Sequence, residues 1–229
     1  MKAIFVAGTD TDAGKSVVTG LLARYISATG KRVVTQKWVQ TGLEAFPEDI
    51  DTHLALMGKK RSDYAGYLDS IAPYAFRFPA SPHLASRCEK SRIRIDRIKK
   101  GFDNLTGHFD FVIVEGTGGL LVPLNERTLS IDLVKELRLP VLLVAANRLG
   151  CVNHTLLSIE ALKVRNIKIM GVIFNNISDR TDERILEDNP GIVKKFSGVK
   201  MLGILPYTDN MTELYKKFSH PGKEIIAGS

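Results

Sequence analysis

"FVAGTDTDAGKSVV", residues 5–18, decides the fold. A short apolar run ends at a glycine, a polar loop follows, and Gly14-Lys15-Ser16 opens a stretch with helical spacing. Phosphate-binding loops between a strand and a helix have the form G-x-x-x-x-G-K-[ST], which would put glycine at position 9. Position 9 is Thr9, and the glycine stands one place early, at Gly8. The strand before and the helix after still argue for phosphate binding. Backbone N–H groups at a helix N-terminus attract phosphate oxygens, and glycines let the backbone approach them. Lys15 would then reach the outer phosphates and the Ser16 hydroxyl would ligate Mg2+. Thr9, Asp10, Thr11 and Asp12 are unusual in such a loop. They fit either a second, non-nucleotide ligand or ordinary turn capping, and the residues leave both open.

Working outward, five more β-branched apolar runs follow: "RVVTQK" (32–37), "FDFVIVEG" (109–116), "PVLLVAA" (140–146), "IKIMGVIFN" (167–175) and "KMLGILP" (200–206). Continuous apolar runs suit strands buried on both faces, as in a parallel sheet. Between them lie helical patterns, among them Val18, Leu21, Leu22, Tyr25 and Ile26, and Ile95, Ile98, Phe102 and Leu105. The alternation predicts an α/β fold, a mostly parallel sheet flanked by helices, in one domain of 229 residues. Residues 43–90 are the least regular and read as an insertion over the active face. The C-terminal "TELYKKFSHPGKEIIAGS" reads as broken at Pro221 and Gly222, so no amphipathic membrane helix is expected there.

Composition narrows the class. The chain is 44% hydrophobic and 25% charged, and no apolar run reaches the roughly 18 residues that span a bilayer. The apolar stretch at the N-terminus is too short for a signal peptide. Cys88 and Cys151 are far apart and lack any metal-ligand spacing, which fits a reducing, cytoplasmic location. The net charge of +7 raises nucleic acid as a partner. The basic residues are scattered, as "KKR" at 59–61 and "KK" at 99–100, 194–195 and 216–217, without aromatic interleaving, so solvated surface is the expectation. The five histidines show no metal spacing, and Cys151 reads as a packed small residue.

In parallel sheets ligands bind at the carboxyl ends of the strands, which selects further candidates. Glu115 precedes Gly116-Thr117-Gly118-Gly119, and an acid at a strand end facing such a loop can hold Mg2+. Lys37 ends the second run on the same edge as Lys15. A second cation there suits an anion that reacts with the γ-phosphate, although a strand-end lysine is ordinarily solvated. A helix starts near Val152 or Asn153 after Gly150, and by itself this reads as an ordinary capped start.

Taken together, "GTDTDAGKS" (8–16), "KWVQTG" (37–42), "PYAFRFPASPHLA" (73–85), "VEGTGGLLVPL" (114–124), "NRLGCVNHTLLS" (147–158), "GVIFNN" (171–176) and "LGILP" (202–206) resemble the dethiobiotin synthetases. These are ATP-dependent enzymes of the P-loop superfamily, and the segments follow the family's order along most of the chain. The early glycine is the family's own variant of the loop. The resemblance implies that 7,8-diaminononanoate, CO2 (or bicarbonate), ATP and Mg2+ give dethiobiotin, ADP and phosphate through a carbamate and a carbamic–phosphoric anhydride. It implies catalytic roles for Lys37, Lys15 and Thr11. Nucleotide contacts would come from Asp12, Ala13, Gly14, Lys15, Ser16 and Val17, with Asn175 and Pro206 near the base. Thr41, Gly118 and Gly119 would lie along the substrate. Gly150, Cys151 and Asn153 would catch its carboxylate across a homodimer interface. Ser16 and Glu115 match two Mg2+ ligands, and for the third, an aspartate of the irregular segment, Asp51 is preferred over Asp49.

Two departures stand out. Trp38 replaces a proline usual after the strand-two lysine, which puts the geometry of the loop carrying Thr41 in question, and Asp12 replaces a common Glu. The competing class is a partition or positioning ATPase that binds a macromolecule. Such proteins carry a second lysine near the start of the loop, where this chain has Gly8, Thr9 and Asp10.

Overall fold

The computed structural model describes residues 3–44 and 46–228. Strand β1 (Ala3–Gly8) leads through the loop into α1 (Lys15–Ser27), then β2 (Val33–Lys37) and β3 (Val39–Thr41). The irregular segment holds α2 (Glu48–Met57), a 3-10 helix (Arg61–Tyr67), α3 (Leu68–Ile71), β4 (Tyr74–Phe76) and α4 (Pro82–Cys88). The remainder alternates: α5 (Ile95–His108), β5 (Phe111–Gly119), α6 (Ser130–Glu136), β6 (Val141–Asn147), α7 (Cys151–Val164), β7 (Ile169–Asn176), α8 (Glu183–Ser197), β8 (Met201–Leu205) and α9 (Met211–Ala227).

All six apolar runs form one parallel sheet in the order β2-β5-β1-β6-β7-β8. Period-two alternation explains why β1 is buried throughout. Ile4 and Val6 pack with α1 and α9, while Ala3, Phe5 and Ala7 face the core on the other side. Strand order reverses about β1, and the crevice this leaves at the carboxyl ends is where the phosphate loop sits.

The irregular segment supplies Glu48, Asp49 and residues 79–82 to the cleft at the strand ends, and its β4 pairs with β3 as a small parallel sheet. Two sequence expectations change. Strand β5 continues past Glu115 to Gly119. Helix α9 runs unbroken through Pro221 and Gly222. Pro221 costs the helix one backbone hydrogen bond, but it is buried against β8, where a Cβ on Gly203 would lie 3.0 Å from its Cγ. Gly222 fits against the Tyr25 ring. The apolar face of α9, with Leu214, Phe218 and Ile225, is spent on the core. Trp38 is absorbed in the core on the opposite face of the sheet: its ring lies 5.0 Å from Phe5 and its Nε1–H donates to Gln36 Oε1 at 3.0 Å.

Candidate functional site

The loop after β1 owes its shape to two glycines. Gly14 caps α1 with φ of 93°, and a Cβ there would meet the Asn175 amide at 2.2 Å. Gly8 permits a close approach, because a Cβ on it would lie 2.9 Å from Lys15 Nζ. Lys15 thus folds back over the loop and donates to the Asp10 carbonyl at 2.9 Å. Burial, and then the charge of Lys37, hold its pKa below the ordinary lysine value.

Neighbouring strands supply the centre. Lys37 and Glu115 are paired in register on β2 and β5, so their side chains lie side by side. Lys37 Nζ stands 2.7 Å from Glu115 Oε1, 2.7 Å from Asp49 Oδ2 and 2.9 Å from the Gly116 carbonyl. Ser16 Oγ lies 2.7 Å from Asp49 Oδ1 and 3.1 Å from Glu115 Oε1, and its single proton serves one of them. His53 Nε2 is 2.6 Å from Glu115 Oε2. Burial would raise the Glu115 carboxyl, but Lys37 and His53 outweigh it and bring it down to about 2. Burial would likewise lower Lys37, and Glu115 and Asp49 more than reverse this. Both charges therefore persist through the neutral range.

Lys15, Ser16, Lys37, Asp49 and Glu115 line one cavity of about 850 Å³, together with Thr11, Asp12, Gly14, Val17, Thr41 and Gly118, while His53 stands behind Glu115 and outside that lining. Thr41 lines this cavity, and Trp38 is buried away from it. The aspartate preferred from the sequence needs correction. Asp51 turns outward and pairs with Arg61, whose Nε donates to it at 2.7 Å, while Asp49 joins Ser16. Helical phase is the reason: residues two apart on a helix face different sides. His53 belongs to no metal-ligand spacing in the sequence. Its legible signal is its place four residues after Asp49, on the same face of α2.

Other expected residues lie around this cavity, not in it. Ala13 is buried beneath the loop, and its carbonyl accepts from Asn175 Nδ2 at 3.2 Å. Pro206 follows β8 on the same sheet edge. Gly119 lines a second hollow of about 340 Å³ with Asp10, Leu121 and Leu157. Gly150 caps α7 with φ of 87°, and the helix starts at Cys151, earlier than expected. The Cys151 thiol is buried and pushed up in pKa by that burial, which disfavours the reactive thiolate.

A family model described as an AAA domain matches residues 2–214. The ATP-dependent dethiobiotin synthetase of Chlorobaculum tepidum is 44% identical over 190 residues, covering 82% of this chain and 78% of that protein. The chain belongs to the dethiobiotin synthetase family. The family's ATP-dependent enzyme from Thermodesulfovibrio yellowstonii is 38% identical over 219 residues, covering 93% of this chain and 90% of its own. Membership makes this protein a ligase of biotin biosynthesis that forms carbon–nitrogen bonds at the expense of ATP. Among solved structures, the MinC:MinD cell division complex of Aquifex aeolicus aligns with TM-score 0.63 at 12% identity, covering 100% of this chain and 97% of that one. At that identity the likeness shows a P-loop NTPase-like fold and nothing about partners.

Proposed function

We propose that the cavity between the phosphate loop and β5 closes a cyclic urea on 7,8-diaminononanoate. The observation that carries this is the grouping of Lys15, Ser16, Lys37, Asp49 and Glu115 around one space, in a member of this family. One substrate amine adds to CO2 and loses a proton, giving a carbamate. A carbamate oxygen attacks the γ-phosphorus and ADP departs, leaving a carbamic–phosphoric anhydride. The second amine attacks the carbamoyl carbon, and phosphate leaves with one of the CO2 oxygens. Lys15 stabilises charge on the transferring phosphoryl group, and Lys37 holds the carbamate anion beside it. Thr11 and Thr41 donate hydrogen bonds to carbamate or phosphate oxygens, and Gly118 lets the diamine lie against the backbone.

The residues fit a magnesium ion: one hydroxyl and two carboxylates supply hard oxygen donors, and the carboxylates already gather about a cation, the Lys37 ammonium. Ser16, Asp49 and Glu115 would hold the ion, which when bound neutralises charge on the β- and γ-phosphate oxygens. Asp49→Asn should therefore raise the Mg2+ concentration for half-maximal activity roughly tenfold or more. Asp51→Asn breaks an exposed ion pair and should leave that midpoint unchanged, at a stability cost of about 1 kcal/mol or less. Equal effects of the two substitutions would reverse the assignment.

A homodimer is the second part of the proposal. Gly150, Cys151 and Asn153 lie outside the cavity, and Leu121, Leu149 and Leu157 are 52%, 78% and 61% exposed nearby. A partner copy would cover them and bring its own α7 start to the substrate carboxylate. Sedimentation of the protein as a monomer at assay concentration would remove this part. No helix among the described residues is long and apolar enough to cross a membrane, and a cytoplasmic location is inferred.

The test of the whole reading is phosphate release with ATP, Mg2+ and bicarbonate, with and without the diamine, followed by mass analysis. Diamine-dependent release with a dethiobiotin mass is expected. Turnover indifferent to the diamine would reject the ligase reading and point to a macromolecular partner. Rate should also rise on the alkaline side of neutral, since the attacking amine must be unprotonated and a free alkyl amine titrates near roughly 10. Glu115 and Lys37 keep their charges there, so a flat profile between about pH 6 and 9 would show that amine deprotonation does not limit the rate.

A further inference from the structure

Glu115 has two oxygens, and the fold uses them differently. Oε1 is shared with Lys37 and Ser16, both of which line the cavity. Oε2 is taken by His53 Nε2 at 2.6 Å. Both side chains are fully buried, and His53 Nδ1 has no hydrogen-bond partner among the described residues. The imidazole's polar capacity is thus committed to one carboxylate oxygen. A side chain kept only to fill volume would be apolar, because stranding Nδ1 away from water is unfavourable.

Helix α2 delivers this contact and the Asp49 contact together. Asp49 and His53 stand one turn apart on one face, the first reaching Ser16 and Lys37, the second Glu115. The helix can lie this close because α1 carries Gly20. A Cβ there would be 2.6 Å from Leu56 Cδ1 and 3.2 Å from His53 Cα.

We propose that His53 is a positioning residue for the cation site: by holding Oε2 it stops the Glu115 carboxylate from rotating, so that Oε1 alone is presented toward Ser16 and Asp49. This rests on the reading of Glu115 as a divalent-cation ligand. His53 itself touches neither nucleotide nor diamine. Hydrogen-bond partners of ligating carboxylates commonly set metal affinity by ten- to hundredfold, through orientation and basicity.

The experiment measures Mn2+ binding by electron paramagnetic resonance, on the full chain with ADP, for the parent, His53→Leu, His53→Gln and Glu115→Gln. Nucleotide affinity in excess EDTA is measured in parallel. His53→Leu should weaken Mn2+ about tenfold or more, with EDTA-condition nucleotide affinity within about twofold of the parent. His53→Gln, whose amide N–H can take the place of Nε2–H, should recover affinity to within about threefold. Parent-like Mn2+ binding in folded His53→Leu, with Glu115→Gln weakened, overturns the positioning role. Parent-like binding in Glu115→Gln overturns the cation reading beneath it. If His53→Leu does not fold, His53→Asn, too short to reach Oε2, gives the same decision.

Discussion

Lys37→Ala should lower the rate of ring closure by about 10³-fold or more while ATP still binds. Lys15 and the loop amides remain to hold the nucleotide, so affinity for a non-hydrolysable ATP analogue should stay within about threefold of the parent. What disappears is the cation that faces the attacking anion. Lys37 is suited to that part because its ammonium is fully buried yet kept charged by Glu115 and Asp49. Its removal also leaves those two carboxylates without their cation, so Mg2+ affinity should rise as the rate falls. That combination separates loss of a charge-stabilising group from general damage to the site, which would weaken both. Lys37→Arg should not rescue, since a planar guanidinium cannot occupy a space shaped for a compact ammonium. Dethiobiotin formation within about tenfold of the parent would remove Lys37 from the mechanism.

Much of this arrangement was legible in the residues because it follows from period and place. The six strands announce themselves as apolar runs buried on both faces, and Gly14-Lys15-Ser16 after the first of them fixes the loop. Lys37 and Glu115 were both placed at the strand ends of one sheet edge. Their contact was not readable, since it depends on β5 being inserted between β1 and β2. Strands β3 and β4 are not legible in the sequence because three residues each are too few to show alternation. Pro221-Gly222 looked like a break because local propensity argues for one, and only the Gly203 and Tyr25 surfaces that receive the pair override it. Choosing between Asp49 and Asp51 required the phase of α2 against α1. His53 belongs to no motif at all, and its meaning comes entirely from the Glu115 oxygen opposite it.

Glu115→Leu should be the most destabilising single change in the site. Lys37 would keep a buried charge with Asp49 as its remaining carboxylate, and His53 would lose its described polar partner. Removing one member of a buried ion pair typically costs about 3–5 kcal/mol, far more than the intact pair contributes. For a chain of this size that corresponds to a drop in Tm of roughly 6–20 °C. The sign of the pH dependence supplies a second check. In the parent the Glu115 carboxyl falls from its ordinary 4.5 to about 2, so its share of the stability is complete above 4.5 and is lost as pH falls toward 2. The variant has no such step, and the gap between the two Tm values should narrow in acid. Adding Lys37→Met to Glu115→Leu should restore part of the loss, because the stranded charge goes with it. Additive losses in the double variant would mean that each side chain stabilises the fold independently. The buried pair would then be two separate contributions, and the ion-pair account of this centre would fail.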